Sequence, residues 1–261
     1  MSCVLYNSDP QMLRQTFYSL GQSISVLDGV NVSLDVIDNA SVKQFYDMPE
    51  IGARCYQVHE HFGHGNIGFG AGHNLSIKNA SSTYHLILNP DVILDPSTLQ
   101  TALAYMDANP DVVLLSPESR DPASGEVQFQ CKGYPSLLVL ALRLLNIAWL
   151  NSLFASPLAR YEERERIRAG KPFAAMIVSG CFMLFRTDAL KALGGFDERY
   201  FLYFEDFDLS LRAQKLGRVV YYPGVRIQHY GGGAGRKGWR HIKMFLRSAL
   251  TFFNRHGWKW F

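Results

Sequence analysis

Short apolar runs closed by Asn or Asp alternate with helical segments through the first 118 residues, and this alternation restricts the fold more than any other feature. Ser2–Tyr6 reads as a buried strand ending in Asn-Ser-Asp-Pro. Ser8 or Asp9 can cap the next helix, with Pro10 at its first position, and Met12, Leu13, Phe17 and Leu20 recur at helical spacing. Asn31–Ile37 alternates as a second strand and ends in Asp38-Asn39-Ala40-Ser41, and Cys55–Val58 reads as a third. The glycine-rich loop Gly63–Asn74 runs into a helix predicted over Ala71–Asn79. Tyr84–Leu88 is a fourth strand, cut off by Asn89-Pro90-Asp91; a helix over Pro96–Met106 and a fifth strand at Val112–Leu115 follow. Such alternation predicts an α/β fold with a mixed, mostly parallel central sheet flanked by helices. In open α/β sheets, ligands bind beyond the carboxyl ends of the strands. Asn7, Asp38–Asn39 and Asn89–Asp91 are therefore expected to face one crevice.

The second half is less regular. Glu126–Cys131 reads as a strand. Ser136–Phe154 is strongly apolar but holds Arg143, Asn146 and Asn151, so a surface or amphipathic helix is expected rather than a bilayer span. Ala159–Lys171 is densely charged with both signs, as in a solvated helix or loop. Ala175–Phe185 reads as a strand interrupted at Ser179-Gly180-Cys181, and Thr187 caps a short helix stopped by Gly194-Gly195. Glu205–Leu216 has helical periodicity, with Phe204, Phe207 and Leu211 on one side. Arg218–Tyr222 is a last strand, leading to His229-Tyr230-Gly231-Gly232-Gly233.

The 261 residues fit one large domain or two small ones, and 48% hydrophobic content is ample for a core. A net charge of +3 gives no case for nucleic acid as partner. The positive charge is uneven: Arg236, Lys237, Arg240, Lys243, Arg247, Arg255 and Lys259 follow Gly235 with no acid among them. Cys3, Cys55, Cys131 and Cys181 are scattered, which fits reduced thiols in a cytoplasmic protein. No signal peptide is read at the start of the chain.

The densest chemistry lies in Gly194–Arg212, where Glu205 and Asp206 stand among Tyr203, Phe204 and Phe207. Unpaired buried charge is costly, so either a cation pairs with these acids or a reaction uses them. At a helix N-terminus at least one should stay ionised, a competent general base for a sugar hydroxyl; the plainer alternative is helix capping plus an ion pair to Arg199 or Arg212. Asp91, held by Pro90 after a strand, suits Mg²⁺ or Mn²⁺ when diphosphate oxygens complete the coordination; otherwise it is a turn residue. His229 precedes three glycines and reads as either a metal ligand or a structural histidine. Asp38-Asn39 suits a base or ribose edge, or an Asx-turn, and the glycine-rich loop offers backbone N–H groups to phosphate.

Read in order, Val4–Pro10, Asp38–Ser41, Asn66–Asn74, Leu88–Val92, Ser179–Arg186, Gly194–Arg212 and His229–Gly233 resemble the motifs of family 2 glycosyltransferases of the GT-A fold, especially bacterial rhamnosyltransferase-like members that build O-antigen and related cell-surface glycans. The resemblance implies a single GT-A domain over residues 1–235, with a nucleotide-binding half (1–118) and an acceptor and catalytic half (119–235), followed by a basic, aromatic tail (236–261). It implies an inverting, metal-dependent hexosyltransferase in which Asp206 is the catalytic base and Glu205 helps orient it or the acceptor. Tyr6, Asn7, Asp38, Asn39, Asn66, Gly68, Asn89, Asp91 and Gly180 would line the nucleotide-sugar site, and Asp91 and His229 would hold Mg²⁺ or Mn²⁺. Two positions depart from the family pattern. Asn89 replaces the first acid of the metal motif, and His73 stands where many relatives carry Arg. dTDP-L-rhamnose is the first donor expected, with a UDP-hexose the alternative. The expected acceptor is a glycan or a polyprenyl-diphosphate-linked sugar, and the tail suits an anionic membrane surface. A catalytically inactive sugar-nucleotide-binding protein is the competing class, kept open by Asn89. A nucleotidyltransferase would be expected to carry a basic glycine-rich loop near the first strand, which Val4–Pro10 lacks.

Overall fold

Each of the first strands is short, apolar and ended by a polar turn, and each is followed by a segment able to cross back over the sheet. The computed structural model describes residues 1–40, 51, 54–231 and 238–261; Ser41, Gly232, Gly233, Arg236 and Lys237 lie outside the described residues. In chain order the first half comprises β1 (Ser2–Leu5), α1 (Pro10–Ser25), β2 (Ser33–Asp38), β3 (Gln57–His61), α2 (Phe69–Ile77), β4 (Tyr84–Leu88), β5 (Val92–Leu94), α3 (Thr98–Ala108) and β6 (Val112–Arg120). The second half comprises β7 (Val127–Gln128), β8 (Cys131–Lys132), α4 (Leu137–Leu145), α5 (Ala148–Leu153), α6 (Ala155–Tyr161), α7 (Arg164–Arg168), β9 (Phe173–Ala174), β10 (Ile177–Val178), β11 (Phe182–Arg186), α8 (Thr187–Ala192), α9 (Glu205–Ala213), β12 (Arg218–His229) and α10 (Gly238–His256).

The main sheet runs β3-β2-β1-β4-β11-β6-β12-β5. β3, β2, β1 and β4 are mutually parallel neighbours, β12 lies parallel to β6, and β11 and β5 run antiparallel to theirs. Because β2, β1 and β4 are adjacent and parallel, their carboxyl ends bring Asp38–Asn39, Asn7 and Asn89–Asp91 to one edge, as the alternation of elements requires. The sides of β4 alternate: Leu86 and Leu88 enter a core under α1 and α3 with Leu13, Phe17, Leu99 and Met106. Ile87 enters the opposite core, with Phe185, Leu190, Leu209 and Ala213. Burying such aliphatic and aromatic side chains contributes about 1.5–3 kcal/mol each. A third cluster joins Tyr200 and Phe204 to Phe252 and Phe253 of α10. The α1 cap is Asp9, whose carboxylate accepts from the N–H groups of Gln11 and Met12, both at 2.9 Å.

Several elements differ from the sequence expectation, each for a tertiary reason. The third strand lies at Gln57–His61 rather than Cys55–Val58, because it is a largely exposed strand that, among the described residues, pairs with β2 alone and needs no apolar face. The region 136–154 is two helices broken at Asn146, which adopts φ 48°. Ala175–Phe185 is not one strand: Ile177–Val178 pairs with β8 in a small second sheet, while Phe182–Arg186 enters the main sheet. The turn between them, at Ser179-Gly180, is where the candidate site is built.

Candidate active site

The Asn89-Pro90-Asp91 turn is anchored from two sides. Thr16 Oγ1 of α1 donates to the Pro90 carbonyl at 2.8 Å, and the Asn89 N–H donates to the Cys181 carbonyl at 2.9 Å. Directly after the turn, β5 pairs antiparallel with the end of β12, setting His229 opposite Val92. The Tyr230 N–H also donates to the Asp91 carbonyl at 3.1 Å. This pairing brings Asp91 and His229 together across more than a hundred residues of chain.

His229 Nε2 lies 3.4 Å from Asp91 Oδ1. Both atoms are buried, and neither makes a hydrogen bond within the protein; Asn89 Oδ1 beside them is also unpartnered. Burial works against ionisation of Asp91, but the His229 imidazole, the Asp91 backbone N–H and the Asn89 amide together outweigh it and hold the carboxyl below its usual range. Buried polar atoms left without partners are uncommon and call for a ligand. An imidazole nitrogen, a carboxylate oxygen and an amide oxygen form a donor set that fits a divalent cation. No cluster of three or more His, Cys, Asp or Glu among the described residues holds a metal unaided. The set therefore fits an ion whose remaining ligands come from elsewhere. Gln128 Nε2 donates to the His229 carbonyl at 2.9 Å, and the Gln130 amide lies 3.3 Å from Nδ1. Which end of that amide faces Nδ1 decides which imidazole nitrogen carries the proton. Nothing in the sequence marks these two glutamines except their place in a β-rich run.

Asp206 lies in the first turn of α9 and is tied to the Ser179-Gly180 turn. Its Oδ2 accepts the Gly180 N–H at 3.0 Å and its Oδ1 accepts the Phe207 N–H at 2.9 Å. Ser210 Oγ donates to the Asp206 carbonyl at 2.7 Å and accepts from the Val178 N–H at 3.2 Å, stitching the first turn of α9 to the small sheet. Gly180 thus holds Asp206 while its neighbour Cys181 holds Asn89. Two consecutive residues join the half-buried acid to the Asp91–His229 pair, and the charges of both Asp91 and Asp206 reach the Cys181 thiol. A Cβ at Gly180 would lie 3.3 Å from the Phe69 ring and 3.5 Å from Asp206 Cβ, so glycine keeps this approach open.

The adjacent acids separate in chemistry. Burial raises both above the ordinary carboxylate range. Asp206 is partly held down by the Gly180 and Phe207 amides. Glu205 has less such help: its own backbone N–H favours the charged form, but burial and the Asp206 charge push its pKa well up, and Oε2 is buried without a partner. Asp206 therefore ionises first, and Glu205 keeps its proton. Neither Arg199 nor Arg212 neutralises them. Arg199 pairs with Asp197, and Arg212 with Asp208, where Nε reaches Oδ2 at 2.6 Å.

The residues that aim the pair are strained. Tyr203 and Phe204, neither glycine, adopt φ 70° and φ 65° immediately before Glu205. Left-handed conformations of this kind cost about 1–3 kcal/mol each and persist where packing over-determines them. Here α10 does so: Ser248 Oγ donates to the Leu202 carbonyl at 2.8 Å, the Tyr203 hydroxyl bonds His241 Nδ1 at 2.9 Å, and the Phe204 ring packs on Phe245 and Phe252. Below, the fully buried Asp208 bonds His256 Nε2 at 2.8 Å and lies 3.2 Å from Arg255. Asp208 also pairs within its helix with Arg212, so the tail adds two further partners to that ion pair.

The remaining expected residues line the adjoining wall. Asp38, buried at the end of β2, accepts the Ala40 N–H at 2.9 Å in an Asx-turn. Asn39 Nδ2 donates to the Gly68 carbonyl at 3.0 Å and leaves its Oδ1 unpartnered. Asn66 Oδ1 accepts the Gly68 N–H at 3.1 Å. Gly68, at φ 97°, has no room for a Cβ, which would fall 2.6 Å from the Phe201 carbonyl; that carbonyl also accepts the Phe69 N–H at 3.1 Å. The wall therefore runs from β2 through the glycine-rich loop to the segment that presents Asp206. Tyr6 is exposed and Asn7 adopts φ 49° at the head of the β1 turn. His73 belongs to the core: it is fully buried, Nδ1 bonds Ser2 Oγ at 2.7 Å, and burial pulls its pKa down to about 3.

Comparison with known proteins gives the family and the fold. The profile of a family described as "Glycosyltransferase like family 2" matches residues 50–249. The N-acetylglucosaminyl-diphospho-decaprenol L-rhamnosyltransferase of Mycobacterium tuberculosis is 26% identical over 98% of this chain and 84% of its own length. The rhamnosyltransferase WbbL of Escherichia coli is 26% identical over 73% of this chain and 72% of its own. The mannosyltransferase PcManGT of Pyrobaculum calidifontis, solved with GDP-Man and Mn²⁺, superposes with TM-score 0.61 at 16% identity, covering 98% of this chain and 64% of that one. The TarS structure from S. aureus superposes with TM-score 0.60 at 16% identity; this chain spans 97% of itself but 39% of TarS. At these identities the solved structures establish the fold, which is the GT-A α/β fold.

Proposed function

The chain belongs to glycosyltransferase-like family 2, and from that membership we propose that it transfers a sugar from a nucleoside-diphosphate donor to an acceptor hydroxyl with inversion. The observation that carries this reading is the bridge through Gly180 and Cys181 between Asp206 and the Asp91–His229 pair. Asp206, ionised ahead of Glu205, takes the proton of the acceptor hydroxyl. The new bond from that oxygen to the anomeric carbon forms as the bond to the donor diphosphate breaks, and the nucleoside diphosphate leaves. Protonated Glu205 keeps a second negative charge away from the reacting oxygen. Asp91, His229 and Asn89 are the residues that would hold a divalent cation, which when bound would offset charge on the leaving diphosphate. Asp38, Asn39, Asn66, Gly68 and Gly180, with Tyr6 and Asn7, form the nucleotide-sugar wall.

The relatives' names support rhamnose as the sugar transferred and, in one of them, a polyprenyl-diphosphate-linked acceptor; dTDP-L-rhamnose is the donor we propose. A thermal-shift screen with Mn²⁺ tests this. At a concentration about a hundred times its dissociation constant, the true donor should raise the Tm by about 5 °C or more. dTDP-L-rhamnose is expected to exceed UDP-glucose, UDP-N-acetylglucosamine and GDP-mannose. A larger shift from a UDP-hexose would reassign the donor, and no shift from any of them would sink the reading.

No helix among the described residues is long and apolar enough to cross a membrane. We place the enzyme on the inner face of a membrane, as a peripheral protein. The outward side of α10 supports this, because Trp239, Lys243, Leu246 and Leu250 recur along one exposed stripe flanked by Arg240 and Arg247. The protein should float with anionic vesicles and not with neutral ones; failure to float with either removes the membrane assignment.

A further inference from the structure

The acceptor half holds more positive charge than it neutralises. Lys132 of β8, Arg143 of α4 and Arg164 of α7 converge on one carboxylate, Glu162. Arg143 pairs with Oε1, Lys132 Nζ lies 3.9 Å from it, and Arg164 donates to Oε2 from Nε at 2.8 Å and Nη2 at 2.6 Å. Three cations around one carboxylate leave two positive charges in excess. Arg164 and Arg168 also stack over the Phe129 ring at 5.3 and 5.4 Å. Burial, with the like charge of Arg143, pulls the Lys132 ammonium down to about 8, as expected of a cation that Glu162 alone does not satisfy. Arginine forks and a lysine gathered this way match the bidentate geometry of phosphate oxygens.

The position of the cluster identifies the ligand. Lys132 and Arg143 each lie 5.7 Å from the ring centre of Tyr161. Tyr161 shares a buried cluster with Val139 and Leu142, against which Phe207, the residue after Asp206, packs, and the Asp206 charge reaches the Tyr161 hydroxyl. The cations are thus one aromatic layer from the proposed base. Along the chain, Arg143 is followed by Leu144, Leu145, Ile147 and Trp149, all exposed, with Trp149 68% exposed. The cations thus connect to the proposed base through the Tyr161 cluster and adjoin an exposed apolar run along the chain, as a diphosphate lies between a sugar hydroxyl and a hydrocarbon chain.

We propose that Lys132, Arg143 and Arg164 bind the diphosphate of a lipid-linked acceptor sugar, and that its hydrocarbon chain leaves over Leu144, Leu145 and Trp149. This rests on the glycosyltransferase reading with Asp206 as base, but the site is testable without turnover. Binding of inorganic pyrophosphate and of geranyl diphosphate to the full chain is measured by calorimetry in EDTA. Geranyl diphosphate is expected to bind at least 10-fold more tightly than pyrophosphate, and Trp149→Ala to abolish that advantage. Arg143→Gln weakens both ligands at least 10-fold, whereas Glu162→Gln, which frees a cation, tightens both several-fold. A folding defect does not produce opposite shifts. Unchanged affinity in Arg143→Gln and Glu162→Gln overturns the site, as does a loss produced only by His229→Ala, which would place the anion at the donor centre. Equal affinity for the two ligands overturns the lipid assignment. The nucleotide-sugar screen judges the glycosyltransferase reading separately, so the two fail by different experiments.

Discussion

Replacement of Asp206 by Asn lowers sugar transfer by about 10³-fold, within the range general-base catalysis supplies, and leaves donor affinity within about twofold. The amide keeps the shape of the carboxylate and can still accept the Gly180 N–H, which bonds Oδ2 at 3.0 Å. What it loses is the capacity to take a proton. Transfer measured by product formation, with donor affinity from calorimetry, separates these quantities, and a variant retaining a tenth of wild-type turnover would remove Asp206 from the base role. The pH profile gives an independent readout. Burial raises the Asp206 carboxyl to about 6. A base works only when ionised, so wild-type kcat rises with pH through that region and then levels off. A limb near pH 4 would place the working acid in open solvent instead.

Replacement of His229 by Ala removes the metal dependence of donor binding. In the wild-type protein Mn²⁺ should tighten donor affinity at least 10-fold relative to EDTA, and in His229→Ala that difference vanishes. kcat/KM falls by about 10²–10³-fold, because charge on the departing diphosphate is no longer offset. Asp91→Asn should behave alike, since Asp91 Oδ1 faces His229 Nε2 at 3.4 Å. Asn89→Asp returns a carboxylate beside them and should strengthen the metal effect. A His229→Ala protein as metal-dependent as wild type would show that the paired orphan atoms do not hold the ion.

The two predictions differ in how much of their basis could be read along the chain. Asp206 stands in an acid-rich, aromatic stretch that draws attention by composition alone, and Asp91 closely follows a strand whose limits, Tyr84–Leu88, are set by an apolar run cut off at Asn89-Pro90-Asp91. The link between them could not be read. β5 is three residues long and hidden behind the Asn-Pro-Asp turn, and its pairing with β12 is what brings His229 alongside. Ala175–Phe185 reads as one strand with an interruption at Ser179-Gly180-Cys181, because the residues on either side of it are apolar. Only the partners of each piece show that it splits, and the split exposes the Gly180 N–H that holds Asp206. The left-handed pair Tyr203–Phe204 was equally silent, because neither residue type favours that conformation.

By itself, the sequence determined the strand–helix alternation, hence a sheet whose carboxyl ends gather Asn7, Asp38–Asn39 and Asn89–Asp91 at one edge. Local periodicity and turn chemistry suffice for that, since each element's buried face is encoded within a few residues of itself. Tertiary structure alone decided which acid is ionised, which histidine meets which carboxylate, and that α10 grips the strained corner before Asp206. Those outcomes depend on burial and on pairing between segments far apart in the chain. Desolvation and non-local contact exist only once the chain has closed, so no window of sequence contains them.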